Sequence, residues 1–301
     1  MSLENRASTG VMSGLLVKGV GGLYTVYSNG EYFAAKARGK FRKNMQKPVI
    51  GDHVDFIPAV DDEDFGVIER IYERKNSFVR PAVANIDLLL AVMASKQPEP
   101  DLMLIDRLLL FARIAQVEAY VVINKADIGD TAFIAEQYER SGYTVFCVSA
   151  QTGEGIDELR RCMSGRISAY AGQSAVGKSS ILNAISGDFN IATGDLSRIE
   201  RGKHTTRHVE LLPLGENSWV CDTPGFSLLE TDAFEPEELK NYYTEYTPYS
   251  DDCRFMGCNH INEPDCAVKN AAAEGVLSKE RLERYGAIFA EIKEKWSRRY
   301  D

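Results

Sequence analysis

The polarity pattern of the chain changes twice, and each change marks a different kind of structure. From 13 to 75 the apolar positions fall in short runs, Ser13–Lys18, Gly22–Tyr27, Tyr32–Lys36, His53–Pro58 and Gly66–Tyr72, with Ser28-Asn29-Gly30 as a hairpin signal. Five short antiparallel strands of this kind predict an all-β barrel of the OB type. Beyond Pro81 the apolar runs become continuous, at Ile86–Met93, Tyr120–Ile123, Tyr143–Val148 and Ile167–Ala171, and Asp101–Ala115 shows helical spacing. Strands that are apolar on both faces and alternate with helices predict a parallel α/β sheet. After Leu229 the chain turns acidic, tyrosine-rich and proline-punctuated, and ends in an amphipathic helix over Ser278–Arg299. That helix carries Leu282, Tyr285, Ile288, Phe289, Ile292 and Trp296 on one face. A multidomain chain follows, with units at 1–80, 81–229 and 230–301.

Composition narrows the setting. Hydrophobic residues make up 44% and charged residues 26% of the 301, so a packed core is expected. The net charge of −9 argues against a chain that coats nucleic acid with its whole surface, though not against a local basic patch. No apolar run approaches the ~20 residues needed to span a bilayer, and the first residues lack a signal-peptide pattern. A cytoplasmic protein with no membrane association is expected, and a monomer. Cys147, Cys162 and Cys221 are scattered, whereas three other cysteines cluster beside a histidine. In a cytosolic chain, clustering of that kind points to metal rather than disulfides.

Four short motifs carry nucleotide chemistry. Gly172-Gln173-Ser174-Ala175-Val176-Gly177-Lys178-Ser179 follows a buried strand and leads into Ser180 and a helix. Glycines there let backbone N–H groups converge on phosphates; Lys178 would reach the β- and γ-phosphates and Ser179 would ligate Mg²⁺. Asn124-Lys125-Ala126-Asp127 ends another buried strand. The Asp127 carboxylate can accept the paired N1–H and N2–H₂ of guanine, a pair adenine lacks. Asn124 is expected to serve the base's other edge, Lys125 to pack over the ring, and a backbone N–H of Ser149-Ala150 to meet the guanine carbonyl. Asp222-Thr223-Pro224-Gly225 follows the strand Ser218–Cys221, so that Asp222 would hold Mg²⁺ through water and the Gly225 N–H would sense the γ-phosphate. The order of these motifs is unusual: base reader first, phosphate loop later, Asp-x-x-Gly last. The chain therefore reads as a circularly permuted α/β P-loop GTPase domain, with its γ-phosphate-sensing segment leading directly into whatever follows 229.

Phe226 stands where Ras-like domains place a water-orienting glutamine, and an apolar ring cannot do that work. The basic segment from Arg201 to Arg207 occupies the place of a first switch. It offers Thr206, with Thr205 as the alternative, to Mg²⁺, and His204 as a candidate to position water. His204, Thr206 and Asp222 are thus the candidate catalytic residues.

Cys253, Cys258, His260 and Cys266 supply three thiolates and an imidazole within fourteen residues. Such a complete tetrahedral set predicts one structural Zn²⁺ in a small, helical, zinc-binding C-terminal domain. Between two barrel strands lie Lys36, Arg38, Lys40, Arg42, Lys43 and Lys47, with Phe41 interleaved and no acidic residue. Phosphate attraction beside a stacking ring is a nucleic-acid signature.

Together, Asn124–Asp127, Gly172–Ser180, Lys203-His204-Thr205-Thr206, Asp222–Gly225 and the Cys/His set resemble the ribosome small-subunit-dependent GTPase family. The resemblance covers nearly the whole chain. It implies an OB domain, a permuted GTPase and a zinc domain acting late in small-subunit maturation, with GTP and GDP, the ribosomal RNA and the small ribosomal subunit as partners, and with hydrolysis stimulated by the subunit. Phe226 looks normal for that family. The alternative is a GTP-controlled RNA-binding switch in which hydrolysis is incidental; a P-loop kinase fails on Asn-Lys-x-Asp.

Overall fold

The computed structural model describes residues 10–39, 41, 47–61, 64–79, 81–187, 209–215, 217–222 and 234–298. Contacts divide the chain into two compact units. One comprises 1–87, 163–169 and 191–226; the other comprises 88–162, 170–190 and 227–301.

The first unit is built on five strands: β1 (Met12–Val20), β2 (Leu23–Ser28), β3 (Glu31–Ala37), β4 (His53–Ile57) and β5 (Gly66–Ile71). They run in the order β1-β2-β3-β5-β4, and β4 returns to pair with β1, which closes the barrel. Only β3–β5 is parallel. The nine-residue β1 serves both neighbours, pairing Met12–Leu15 with β4 and Leu15–Val20 with β2, and a bulge between Leu16 and Lys18 lets it curve. Leu16, Val26, Ala35, Val54, Phe56, Ile68 and Ile71 fill the interior. This is the OB-type barrel the alternation predicts. A small hairpin, β6 (Ser77–Val79) and β7 (Ala82–Ala84), lies outside that expectation.

Two more strands of this unit, β12 (Glu210–Gly215) and β13 (Ser218–Asp222), form an antiparallel ribbon. Its β12 pairs with barrel strand β1 at Lys18 and Glu210, whose side chains form a 3.0 Å ion pair. The β13 strand pairs in parallel with Ile167–Ala169 of β11 (Ile167–Ala171).

In the second unit, β8 (Leu88–Ala94), β9 (Glu118–Asn124) and β10 (Val145–Cys147) are parallel and ordered β10-β9-β8. Every residue of β8 is buried, as a continuous apolar run requires. Helices α1 (Leu102–Ile114), α2 (Ala132–Glu139), α3 (Ile156–Cys162) and α4 (Lys178–Ser186) alternate with the strands. The Asp101 side chain caps α1 by accepting from the Leu104 N–H at 2.9 Å. The C-terminal part of the unit holds α5 (Thr247–Ser250), α6 (Ala267–Ala273) and the long α7 (Lys279–Ser297), which Ser278 caps through the Arg281 N–H. Tyr285, Ile288, Phe289 and Ile292 of α7 are buried as their spacing predicts, in a core that also takes Leu110 of α1. None of the helices among the described residues is long and apolar enough to cross a membrane.

A polar joint accompanies this apolar seam. Arg281, 2% exposed, pairs with Asp106 of α1 and with Glu245 at 2.8 Å, and Arg284 also pairs with Asp106. Its guanidinium lies 5.0–5.7 Å from the rings of Tyr138, Tyr143 and Tyr243. Burial alone would lower the Arg281 pKa, but Asp106 and Glu245 outweigh it and hold the group charged. Replacing Arg281 with Met would leave two buried carboxylates with reduced compensation. The expected loss is about 3–5 kcal/mol of stability in urea unfolding; a loss under about 1 kcal/mol would show the joint to be dispensable.

Candidate functional site

The first candidate site lies within the second unit, where the ends of β8 and β9 meet the loop that opens α4. That loop needs its glycines. A Cβ on Gly172 (φ +149) would sit 1.9 Å from the Val92 carbonyl oxygen, and one on Gly177 (φ +94) 2.3 Å from Asn124 Nδ2. With hydrogen in their place, the loop packs directly on β8 and on the residue that ends β9. Lys178 folds its ammonium over the loop, donating to the carbonyls of Gly172 at 2.8 Å and Gln173 at 2.7 Å. Half-buried, it has its pKa lowered by desolvation. Ser179 and Ser180 are exposed in the first turn of α4, where unpaired N–H groups and the helix dipole favour an anion.

The residues expected to read the base bond to that loop or to one another. Asn124, 2% exposed, donates from Nδ2 to the Val176 carbonyl at 2.9 Å and accepts at Oδ1 from the Ala150 N–H at 3.1 Å. One N–H and one lone pair of the amide thus join three loops, and the second Nδ2 hydrogen is left for a base edge; the Ser149 and Ala150 N–H groups, expected to meet the guanine carbonyl, are instead donated to Glu154 and Asn124. Lys125 (φ +63) reaches across to the carbonyls of Ala175, at 3.1 Å, and Gln97. Asp127 is exposed, and its Oδ1 accepts from the Ser149 hydroxyl at 2.6 Å. That bond sets the carboxylate's direction while leaving Oδ2 to a ligand. Ser149 in turn accepts from the Thr152 N–H at 3.1 Å, and the Ala126 N–H donates to Val148. Ser95 escapes a sequence reading, since no motif contains it. Its hydroxyl donates to the Lys125 carbonyl at 2.6 Å and braces the turn; the one available cue was its place directly after the first buried strand.

The remaining expected site residues fall in the first unit or outside the described residues. Asp222 ends β13 in the first unit, with its side chain outside the described residues. His204, Thr205, Thr206, Gly225 and Phe226 fall outside them altogether, as do Lys40, Arg42 and Lys43. Of the basic run, Lys36 places its ammonium 3.9 Å over the Phe65 ring, Arg38 pairs with Glu69, and Lys47 is exposed. Phe41 corrects an expectation. Read as a stacking ring, it is instead 7% exposed and part of the barrel core. Apolar area gained there outweighs what an exposed ring would offer.

The second candidate site is the Cys/His set, also in the second unit, and all four residues come together. Their ligand atoms lie within 4.8 Å of one another. Cys253 Sγ is 3.8 Å from Cys266 Sγ and 3.7 Å from His260 Nδ1, which is 3.4 Å from Cys266 Sγ. A tetrahedron with metal–sulfur bonds of ~2.3 Å has edges of ~3.8 Å, so the donors already stand at coordination spacing. Burial pushes the Cys258 thiol up to about 12, while burial and Lys240 hold the His260 imidazole low and neutral. A divalent cation is what makes such thiols ionise. His260 Nε2 lies 3.4 Å from the Ser250 hydroxyl, an outer partner that orients the ring. The cluster is compatible with a structural zinc.

Comparison with known proteins bears on both sites. Residues 71–232 match the family model described as RsgA GTPase, and 13–68 that described as RsgA N-terminal domain. A small ribosomal subunit biogenesis GTPase RsgA of Agathobacter rectalis is 42% identical over 297 residues, covering 94% of this chain and 98% of that protein. Its counterpart in Moorella thermoacetica is 43% identical over 284 residues, with 93% and 97% covered. Among solved structures, YloQ, described as a circularly permuted GTPase, aligns with a TM-score of 0.79 at 32% identity, over 97% of this chain and 98% of that one. YjeQ from Thermotoga maritima aligns at 0.77 and 37% identity, over 94% and 99%.

Asp127→Asn exchanges a double acceptor for a group that can no longer take both guanine donors. Guanine-nucleotide affinity by calorimetry should fall roughly 100-fold or more; an unchanged affinity would mean that the base is read elsewhere. Purified chain should carry one zinc, and Cys258→Ala or chelation should lower the melting temperature. Metal-free protein with an unchanged melt would remove the structural role.

Proposed function

The chain belongs to the RsgA GTPase family and is a GTPase of ribosome assembly, and from that premise we propose that it acts late in maturation of the small ribosomal subunit, binds its RNA and is stimulated by the subunit. The observation that supports the reading is that Asn124 and Lys125 bond directly to the 172–179 loop while Ser149 orients Asp127 two residues on, the arrangement a guanine reader beside a phosphate cradle requires.

The assignments within this reading follow from chemistry. Asp127 accepts the guanine N1–H and N2–H₂, the second Nδ2 hydrogen of Asn124 serves the base's other edge, and the Lys125 stem packs over the ring, while Ser149-Ala150 hold the surrounding turns. Backbone N–H groups of 172–180 and the Lys178 ammonium take the phosphates. Mg²⁺ would be held by Ser179 and Thr206, with Asp222 reaching it through water, and it would neutralise charge on the β- and γ-phosphates. Thr205 is the alternative to Thr206 as a ligand to Mg²⁺, and the Gly225 N–H would sense the γ-phosphate. His204 orients the attacking water in place of the glutamine that Phe226 replaces. Zn²⁺ on Cys253, Cys258, His260 and Cys266 orders the C-terminal segment. Lys36, Arg38, Lys40, Arg42, Lys43 and Lys47 supply phosphate contacts to RNA, and Phe41 supports them from within the barrel. A cytoplasmic monomer, with domains at 1–80, 81–229 and 230–301, completes the proposal.

Turnover measured with and without purified small subunits tests the reading. Strong stimulation is expected, and its absence would leave only a passive GTP-controlled binder. His204→Ala should lower stimulated turnover roughly 100-fold with GTP affinity nearly intact. Unchanged stimulated turnover would take His204 out of the mechanism.

A further inference from the structure

The tip of the cysteine–histidine loop departs from ordinary burial. Met256 is 104% exposed and its neighbour Phe255 44%, although both sit between cluster residues Cys253 and Cys258. The loop beneath them is firmly built. The Arg254 N–H donates to the Asp265 carbonyl at 3.3 Å, and the Arg254 guanidinium pairs with the Asp265 carboxylate at 2.7 Å. The Cys258 N–H closes the turn on the Phe255 carbonyl at 3.2 Å, across Gly257 at φ +76. On the other arm, the Glu263 carboxylate accepts the N–H groups of Asn259, Ile261 and Asn262 at 2.8, 2.9 and 3.1 Å. A tip anchored on both sides holds two large apolar side chains in water. An adjacent apolar pair on a rigid support pre-organises a contact, since little entropy remains to be lost on binding.

Charge selects the partner. Between 251 and 266 stand four carboxylates, Asp251, Asp252, Glu263 and Asp265, against one cation, Arg254, which pairs with Asp265 and lies 5.5 Å from the Phe255 ring. Lys240 and Lys269 reach the loop from other elements, at the Cys258 and Glu263 carbonyls, so the exposed Asp251 and Asp252 set the sign of the rim. A phosphate backbone approaching this rim would be repelled, whereas a lysine- and arginine-rich polypeptide would be drawn to it. We propose that Phe255 and Met256, within their acidic rim, dock a basic protein segment that offers an apolar socket. The segment belongs to the protein component of the particle on which the chain acts, so the inference rests on the small-subunit reading above.

The test uses the full-length, zinc-loaded protein with a photo-crosslinking residue in place of Met256. It is bound to purified small subunits in the presence of a non-hydrolysable GTP analogue. Cross-linking to a basic polypeptide is expected; cross-linking to RNA, or none from the bound complex, would overturn the inference. In parallel, the double variant Phe255→Ser, Met256→Ser should keep its zinc, its melting temperature and its basal GTP turnover, and lose about tenfold in subunit affinity. Unchanged affinity would count against the docking site. The double variant Asp251→Lys, Asp252→Lys decides by sign: binding should weaken against a basic protein, and tighter binding would reveal RNA at the tip. If the unaltered protein fails to bind subunits, the functional reading falls and this partner with it. Subunit binding with an RNA cross-link removes the docking inference alone.

Discussion

The candidate nucleotide site depends on a single planar amide. Asn124 donates to Val176 and accepts from Ala150, and Gly177 is bare where any Cβ would strike it. One buried side chain thereby fixes the distance between the segment proposed to read the base and the segment proposed to cradle phosphate. Such a joint is indifferent to chain order. Hydrogen bonds and close packing act through space, while rearranged connectivity changes only loop closures, whose entropy grows slowly with length. That is the physical reason an inverted order of motifs is compatible with an ordinary cradle. It also explains why Asn is needed where a reader of base edges would seem to suffice: donor and acceptor must lie at opposite corners of one rigid group.

The C-terminal segment meets a different constraint, because it has few aliphatic residues to bury. Stacked Tyr243 and Tyr246 meet Tyr285 edge-on, and Arg281 stands among these rings and two carboxylates. A buried ion pair of this kind contributes less to net stability than to uniqueness, since sliding α7 along α1 would strand a charge in low dielectric. The cysteine–histidine cluster achieves a similar end by coordination geometry. Directional interactions here take over the work that a larger apolar core would do by volume.

Much of this was legible in the sequence wherever one physical rule dominated. Alternation announced the barrel, continuous apolar runs announced β8 and β9, and ligand spacing announced the Cys/His set. The exceptions fall where two rules compete. Phe41 sits in a basic run, and charge suggested an exposed ring, but the barrel interior claimed it. Arg281 gave no signal in the sequence, because the partners that bury it, Asp106 and Glu245, are remote in the chain. Asn124 was recognised as functional, but its second task, joining the loops around it, is not in the motif, because a motif specifies a residue type and not which of its bonds are made to protein. Ser95 belongs to no motif and became visible only when β8 and β9 were placed side by side.

The β12–β13 ribbon carries the last step. In the chain it separates the segment around His204 from the one around Gly225, so both run directly into its strands. Its register is fixed through Glu210↔Asp222, Leu211↔Cys221, Leu212↔Val220 and Pro213↔Trp219. The same ribbon is joined to barrel strand β1 by the Lys18↔Glu210 pairing and its ion pair, and Trp219 meets Tyr27 of β2 edge-on at 4.8 Å. A displacement at either end of the ribbon therefore has a route to the barrel through backbone pairing and ring contact. Sheet pairing is stiff and its register discrete, so such a route favours a shift of the ribbon as a body over its gradual deformation.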